Sequence, residues 1–264
     1  MGLVSMMVGV ILFYVSRRTE EKIRAILSVE ASTVSELEEL YSRVTEEAGK
    51  GYFGVKCKLY GTVECDKPLT SELAKKRCVY YKMRVEREWE EERTERRRDK
   101  HGNVYYETVT HRGSDVVAEN IRSVDFWLRN HTGRIHIYPD GAEFDAQKVY
   151  EKFEPAESIH AGRITIGSIS IVIPAPLEGR RTIGYRSTES IIPVDRPAFI
   201  LGWASDERGE LAVQRPREEG FFIISYKSER EYISSLHKKR RNLIIGGTVA
   251  FLIGILLIIM GFLI

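Results

Sequence analysis

Residues 243–264 read LIIGGTVAFLIGILLIIMGFLI, with no charge, no proline and no side-chain amide. At about 1.5 Å per helical residue the run reaches roughly 33 Å, about the thickness of one hydrocarbon core. Its backbone amides can be satisfied in lipid by closing a helix, so the stretch predicts a membrane span. A buried helix of a water-soluble domain would carry a polar stripe, and this one has none. Lys238, Lys239, Arg240 and Arg241 stand immediately before it as an interfacial collar.

The opposite end mirrors this arrangement. Residues 1–16 carry no charge, and Arg17 and Arg18 follow at once. As a helix the run spans only about 24 Å, so it needs local thinning or snorkelling arginines. A secretory signal has its basic end first, whereas here it comes last, which favours an uncleaved anchor. The expected layout is an anchor at 1–16, a juxtamembrane helical segment at 17–50 and a β-rich domain at 51–226. A helical connector at 227–241 and a second span at 242–264 complete it. Both collars lie on the domain side, so the positive-inside rule predicts a cytoplasmic domain with both termini outside.

All 40 basic and 38 acidic residues fall between the two apolar ends, for a net charge of +2. So balanced a segment excludes a general nucleic-acid grip. Basic residues concentrate in the collars and in Arg93–Lys100, which points to anionic lipid instead. The expected partners are therefore the bilayer itself and a protein. A second copy of the chain is an alternative, carried by the apolar repeat Val34, Leu37, Leu40, Tyr41 and Val44. Thr33 and Glu36 have capping-box spacing, so a helix restarts there and ends at Gly49 and Gly51.

From Phe53 the period changes to two. Phe53, Val55, Cys57, Leu59, Val63 and Cys65 share one face, and Lys56, Lys58, Tyr60, Thr62 and Glu64 share the other. Gly61 interrupts the apolar face, as a bulge or barrel bend would. Residues 66–71 read as a turn into a short helix ending near Arg77. Two alternating runs, Val79–Trp89 and Val104–Thr110, flank a charged stretch and predict a long hairpin with its turn at His101–Asn103. A second hairpin turns at Asn130–Gly133, and short strands follow at Ile164–Ile173, Gly184–Arg186, Ala198–Ala204, Leu211–Gln214 and Phe221–Ser225. Ser228 with Glu231 caps a last helix leading into the final span. The fold class expected is membrane-anchored and mainly β, antiparallel, with two transmembrane helices and a juxtamembrane helical segment. Its sheet closes as an OB-like barrel or stays open.

The segments Gly61–Cys65 with Pro68–Ser71, Cys78-Val79-Tyr80-Tyr81, Phe126 through Gly133, Gly184-Tyr185-Arg186 with Glu189, and Leu201-Gly202 resemble the GIDE domain. That domain lies between the two spans of mitochondrial membrane-anchored RING-type ubiquitin ligases and of prokaryotic two-span relatives. The resemblance implies a ligase-related function. It singles out Cys78, Tyr80, Tyr81, Tyr185, Arg186 and Glu189 as motif residues with an internal or a partner-binding role. The eukaryotic ligases follow the second span with a RING, which needs about eight paired Cys and His ligands. Residues 1–264 hold three Cys and six His and no Cys-x-x-Cys pair, so the catalytic module is not expected here.

Other chemistry finds little support. Cys57, Cys65 and Cys78 have spacings that fit neither a zinc site nor a disulfide framework. Cys78 is the best candidate for a reactive thiol, and a packed strand residue is its simpler reading. No metal set gathers His111, His131 and His136 at ligand spacing, and no phosphate loop or nucleophile elbow is present. No cofactor, metal or catalytic residue is expected. Two functions follow: a non-catalytic scaffold that binds a protein or lipid at the membrane, or recruitment of substrate for a ligase partner acting in trans.

Overall fold

The computed structural model describes residues 2–98, 103–158, 163–166, 169–172 and 179–262. In chain order, α1 (Gly2–Leu27) and α2 (Val34–Ala48) precede β1 (Gly54–Glu64), β2 (Leu69–Thr70), β3 (Arg77–Arg98) and β4 (Val104–Ser123). Next come β5 (Phe126–Arg129), β6 (Arg134–Ile137), β7 (Glu143–Asp145), β8 (Gln147–Pro155), β9 (Arg163–Ile166) and β10 (Ile169–Val172). The last elements are β11 (Arg180–Pro193), β12 (Pro197–Ser205), β13 (Ala212–Gln214), β14 (Ile223–Ser225) and α3 (Glu229–Phe262). The chain divides into two units. One takes residues 1–64, 125–145 and 195–264, and the other takes 65–124 and 146–194.

In the first unit a five-stranded sheet closes on itself. Its order is β1-β5-β6-β13-β12, and β12 returns to pair with β1. The closure turns on Gly61. There β1 stops running beside β12 alone and begins to pair with β5, at Thr62↔Arg129. A Cβ at Gly61 would lie 2.5 Å from the Arg129 carbonyl oxygen, so only glycine admits the approach. The interrupted apolar face in the sequence marks this bend. The pairings are antiparallel except two: β6 with β13 and β7 with β14 run parallel. At these two pairings the antiparallel expectation is corrected, because alternation reports that a segment is a strand and not the direction of its neighbour. Leu59, Phe126, Leu128, Ile137, Ile200, Val213 and Ile224 are completely or almost completely buried.

α1 runs without a break from the apolar run through Arg17 and Arg18 to Leu27. Its far end and the start of α3 cover one face of the barrel, where Ile23 and Ile26 meet Phe199, Leu201, Ile223, Tyr232 and Leu236. Lys58, expected on the solvent face of β1, is buried beneath them instead. Its ammonium is satisfied by Glu229 at 2.9 Å and by the Ile26 carbonyl at 3.3 Å. α2 carries the expected capping box at Thr33 and Glu36. It docks on the β5–β6 turn, where the Ser35 amide donates to Thr132 Oγ1 at 3.2 Å.

In the second unit β3 and β4 form the long hairpin, paired from Tyr80↔Ser123 out to Arg98↔Val104. The turn expected at its tip lies largely outside the described residues. β11 accompanies β3 as far as Glu91, and β8 pairs with the other edge of β11. Beyond that point the hairpin is a two-stranded ribbon whose strands exchange an ion pair, Arg97–Glu107 at 2.9 Å. The short helix expected before Arg77 does not form. Thr70 pairs into β3, and Lys75 adopts a left-handed φ of 54°, which no helix accepts. Of the run expected at Ile164–Ile173, the described residues pair as strands β9 and β10, and the rest lies outside the described residues.

Candidate functional site

The motif residues of the second unit converge on a loop. Glu189 lies on β11, is fully buried, and aims its carboxylate at residues 72–74. Its oxygens accept backbone N–H groups from Glu72 at 2.7 Å, Leu73 at 2.9 Å and Ala74 at 2.7 Å. Successive amides turned to one point form an anion-binding nest, and here the chain fills it with its own side chain. Glu72 then reaches outward to Tyr81 Oη at 3.2 Å and to Asn120 Nδ2 at 2.5 Å. Cys78, Tyr81 and Tyr185 pack with Met83, Val85 and Ile191 as the core of this unit. Tyr80 is buried as well.

Arg186 stands apart from that cluster. It faces Glu88 at 2.6 Å and Glu151 at 3.2 Å, across strands β3 and β8. The structure therefore brings Cys78, Tyr81, Tyr185 and Glu189 into one core and leaves Arg186 in a cross-strand ion pair. This arrangement suppresses thiol chemistry. Burial, with the Glu189 carboxylate close by, pushes the Cys78 thiol up to about 11. Burial alone pushes Cys57 to about 12. A nucleophilic cysteine needs the opposite, an electropositive and accessible setting. Among the described residues no group of His, Cys, Asp and Glu could hold a metal ion.

The collar residues gather in the first unit. α1 and α3 lie antiparallel in two reciprocal glycine pairs. A Cβ on Gly2 would sit 2.8 Å from the Gly254 carbonyl oxygen, and one on Gly254 would sit 2.8 Å from that of Gly2. Gly9 and Gly247 meet in the same way, at 3.0 and 3.3 Å. Between them Ser5 Oγ donates to the Ala250 carbonyl at 2.7 Å. Small residues let helix backbones approach this closely and are the usual device for pairing helices in lipid. At the polar end Arg240 pairs with Glu20 at 2.6 Å, while Arg17, Arg18, Lys238, Lys239 and Arg241 remain exposed. Arg18 and Lys239 line a cleft of about 290 Å³ together with Lys22, Arg215 and Phe221.

The family model GIDE, described as E3 ubiquitin ligase, matches residues 92–259, more than half of the chain. The chain belongs to the GIDE family. The matched stretch of this GIDE chain takes in Tyr185, Arg186 and Glu189 and most of the barrel, but not Cys78, Tyr80 or Tyr81. The Arabidopsis thaliana protein E3 ubiquitin-protein ligase SPL1 is 25% identical over 153 residues, which cover 56% of this chain and 42% of that relative. The chain thus spans less than half the length of the curated relative it matches. No solved structure matches it.

Within the GIDE chain, sequence reasoning passed over Lys58 and the four interhelix glycines. Lys58 gave no signal, since its position in a period-two strand is that of a solvated lysine. The glycines did give one: Gly2 and Gly9 are seven residues apart, as are Gly247 and Gly254, which is a heptad spacing.

Proposed function

We propose that α1 and α3 enter the membrane together as a glycine-paired hairpin of helices. They hold the barrel unit at the bilayer surface, where the chain acts as a non-catalytic scaffold for a partner. One observation carries this reading. On the faces turned away from the helix pair, Leu3, Met7, Val10, Leu252, Leu256 and Ile259 are more than half exposed, and only hydrocarbon would cover so continuous an apolar sleeve. Both helices are long and apolar enough to cross. The same helices continue out of the sleeve onto the barrel through Ile23, Ile26, Tyr232 and Leu236, so anchor helices and barrel share one core. In chain order the barrel strands run 1-2-3-5-4, with the third and fifth parallel, which supports the OB-like reading. The test is alkaline extraction of membranes from cells making the chain. Retention in the pellet is expected, and release into the soluble fraction would overturn the reading.

A second reading is favoured by the family description and by the SPL1 likeness. Here the domain recruits substrate for a ubiquitin ligase acting in trans. Reconstitution with ubiquitin-activating and ubiquitin-conjugating enzymes and a separate RING protein tests it. Substrate modification that requires both this chain and the RING protein supports recruitment. Modification indifferent to this chain would reject it.

A further inference from the structure

The cleft at the polar end of the helix pair has a composition that the anchor alone does not require. It receives Arg18 and Lys22 from α1, Lys239 from α3 and Arg215 from the loop after β13. Among the described residues one carboxylate lines it, that of Glu143, and it is held by Lys22 at 2.5 Å. Arg18, Arg215 and Lys239 have no carboxylate partner among the described residues. Three cations therefore face one space without compensation, in a chain whose other charges are extensively paired.

Arg215 is also positioned. Gly141, with a φ of +74°, lies against it so closely that a Cβ would stand 2.8 Å from its Cδ and 3.1 Å from Nη1. The glycine both makes the turn and leaves the channel for the arginine stem. On the other side of Arg18 and Arg215, a larger cleft carries Glu21, Glu218 and Glu219 beside Arg17 and Arg217, so its charges largely cancel, whereas those of the first cleft do not. Phe221 supplies an apolar wall beside the charges.

We propose that this cleft binds a phosphate ester, with Arg215, Arg18 and Lys239 as its ligands. Guanidinium groups match phosphate oxygens in pairs of parallel hydrogen bonds, and the lysine adds a point charge. The phosphate comes from an anionic lipid headgroup or from a soluble ester. The lipid source rests on the membrane reading above, since it places Arg18 and Lys239 at headgroup depth; the soluble source does not.

The experiment uses the full chain in neutral detergent and in nanodiscs. Glycerol 3-phosphate binding is measured by calorimetry in detergent. Lipid retention is measured by native mass spectrometry after release from discs of phosphatidylglycerol and phosphatidylcholine. Arg215→Gln and Lys239→Gln are each expected to weaken binding about fivefold, the effect of one charge near the surface. Lys50→Gln and Lys56→Gln, exposed and outside both this cleft and the collars, should leave it unchanged. Gly141→Ala removes no charge and should still weaken binding, with thermal melting confirming that each variant is folded. Binding of glycerol 3-phosphate identifies a soluble source, and selective retention of phosphatidylglycerol alone identifies a headgroup. Equal losses in cleft and control variants, or no binding of either probe, would overturn the proposal. A chain that binds glycerol 3-phosphate but does not enter nanodiscs would reject the membrane reading and keep the site.

Discussion

Glu189 shows how a motif residue serves structure before it serves recognition. Three amides of one loop end on its carboxylate, and hydrogen bonds to a charged acceptor contribute about 1.5–3 kcal/mol each when buried. Glu189→Gln keeps the shape but removes the charge and turns an amide toward an N–H donor. We expect it to destabilise the chain by about 2 kcal/mol or more, seen as a lower melting temperature in detergent. An unchanged melt would return Glu189 to the list of recognition residues. The cysteines give a second expectation. With its thiol held up to about 11, Cys78 is only about a thousandth thiolate at pH 8, whereas Cys65 is half-buried and more accessible. Iodoacetamide should label Cys65 first, and Cys78 should stay slow until the pH approaches 11 or the chain unfolds. Equal rates in the folded chain would contradict its burial. The family resemblance singled out Cys78, Tyr80, Tyr81, Tyr185, Arg186 and Glu189, but not what Glu189 holds. The partner of Glu189 is a set of backbone amides, which leaves no trace in side-chain identity.

At the level of elements, the pairing of α1 with α3 is the contact most open to attack. Gly9→Leu or Gly254→Leu puts a side chain where a carbonyl oxygen now stands, and such overpacking costs about 1–3 kcal/mol. Gly261 has open space around it, so Gly261→Leu is the matched control. A disulfide between Ser5→Cys and Ala250→Cys reads the pairing directly. It should form readily alone and with Gly261→Leu, and fail with Gly9→Leu; formation in all three would show that the glycines do not set the interface. Hydropathy made both helices legible, because length and apolarity are local properties. Their partnership was not read, because hydropathy scores a glycine by what it lacks. The strands divide in the same way. The β3–β4 and β5–β6 hairpins could be followed along the chain, since their partners are sequence neighbours. The parallel union of β6 with β13 could not, because nothing in either segment names the other.

For the molecule as a whole, sidedness is the open quantity. The exposed basic collar at the barrel end of the helix pair predicts a cytoplasmic barrel. A cysteine at Asn103, in a chain whose native cysteines are replaced, tests the side of the hairpin. Protection from an impermeant maleimide in sealed cells, lost on permeabilisation, is the expected outcome, and labelling of intact cells would invert the topology. The barrel also has a history in time. β1 pairs along nearly its whole length with β12, well over a hundred residues further on. At typical synthesis rates that separation is on the order of ten seconds of translation. During it α1 and β1 have been made, and β1 waits with its hydrogen-bonding edge unfilled. Loop closure over such a distance is slow as well. An exposed, unpaired strand is a target for chaperones and proteases, so the abundance of this protein in cells should be governed by what guards the nascent chain as much as by the stability of the finished fold.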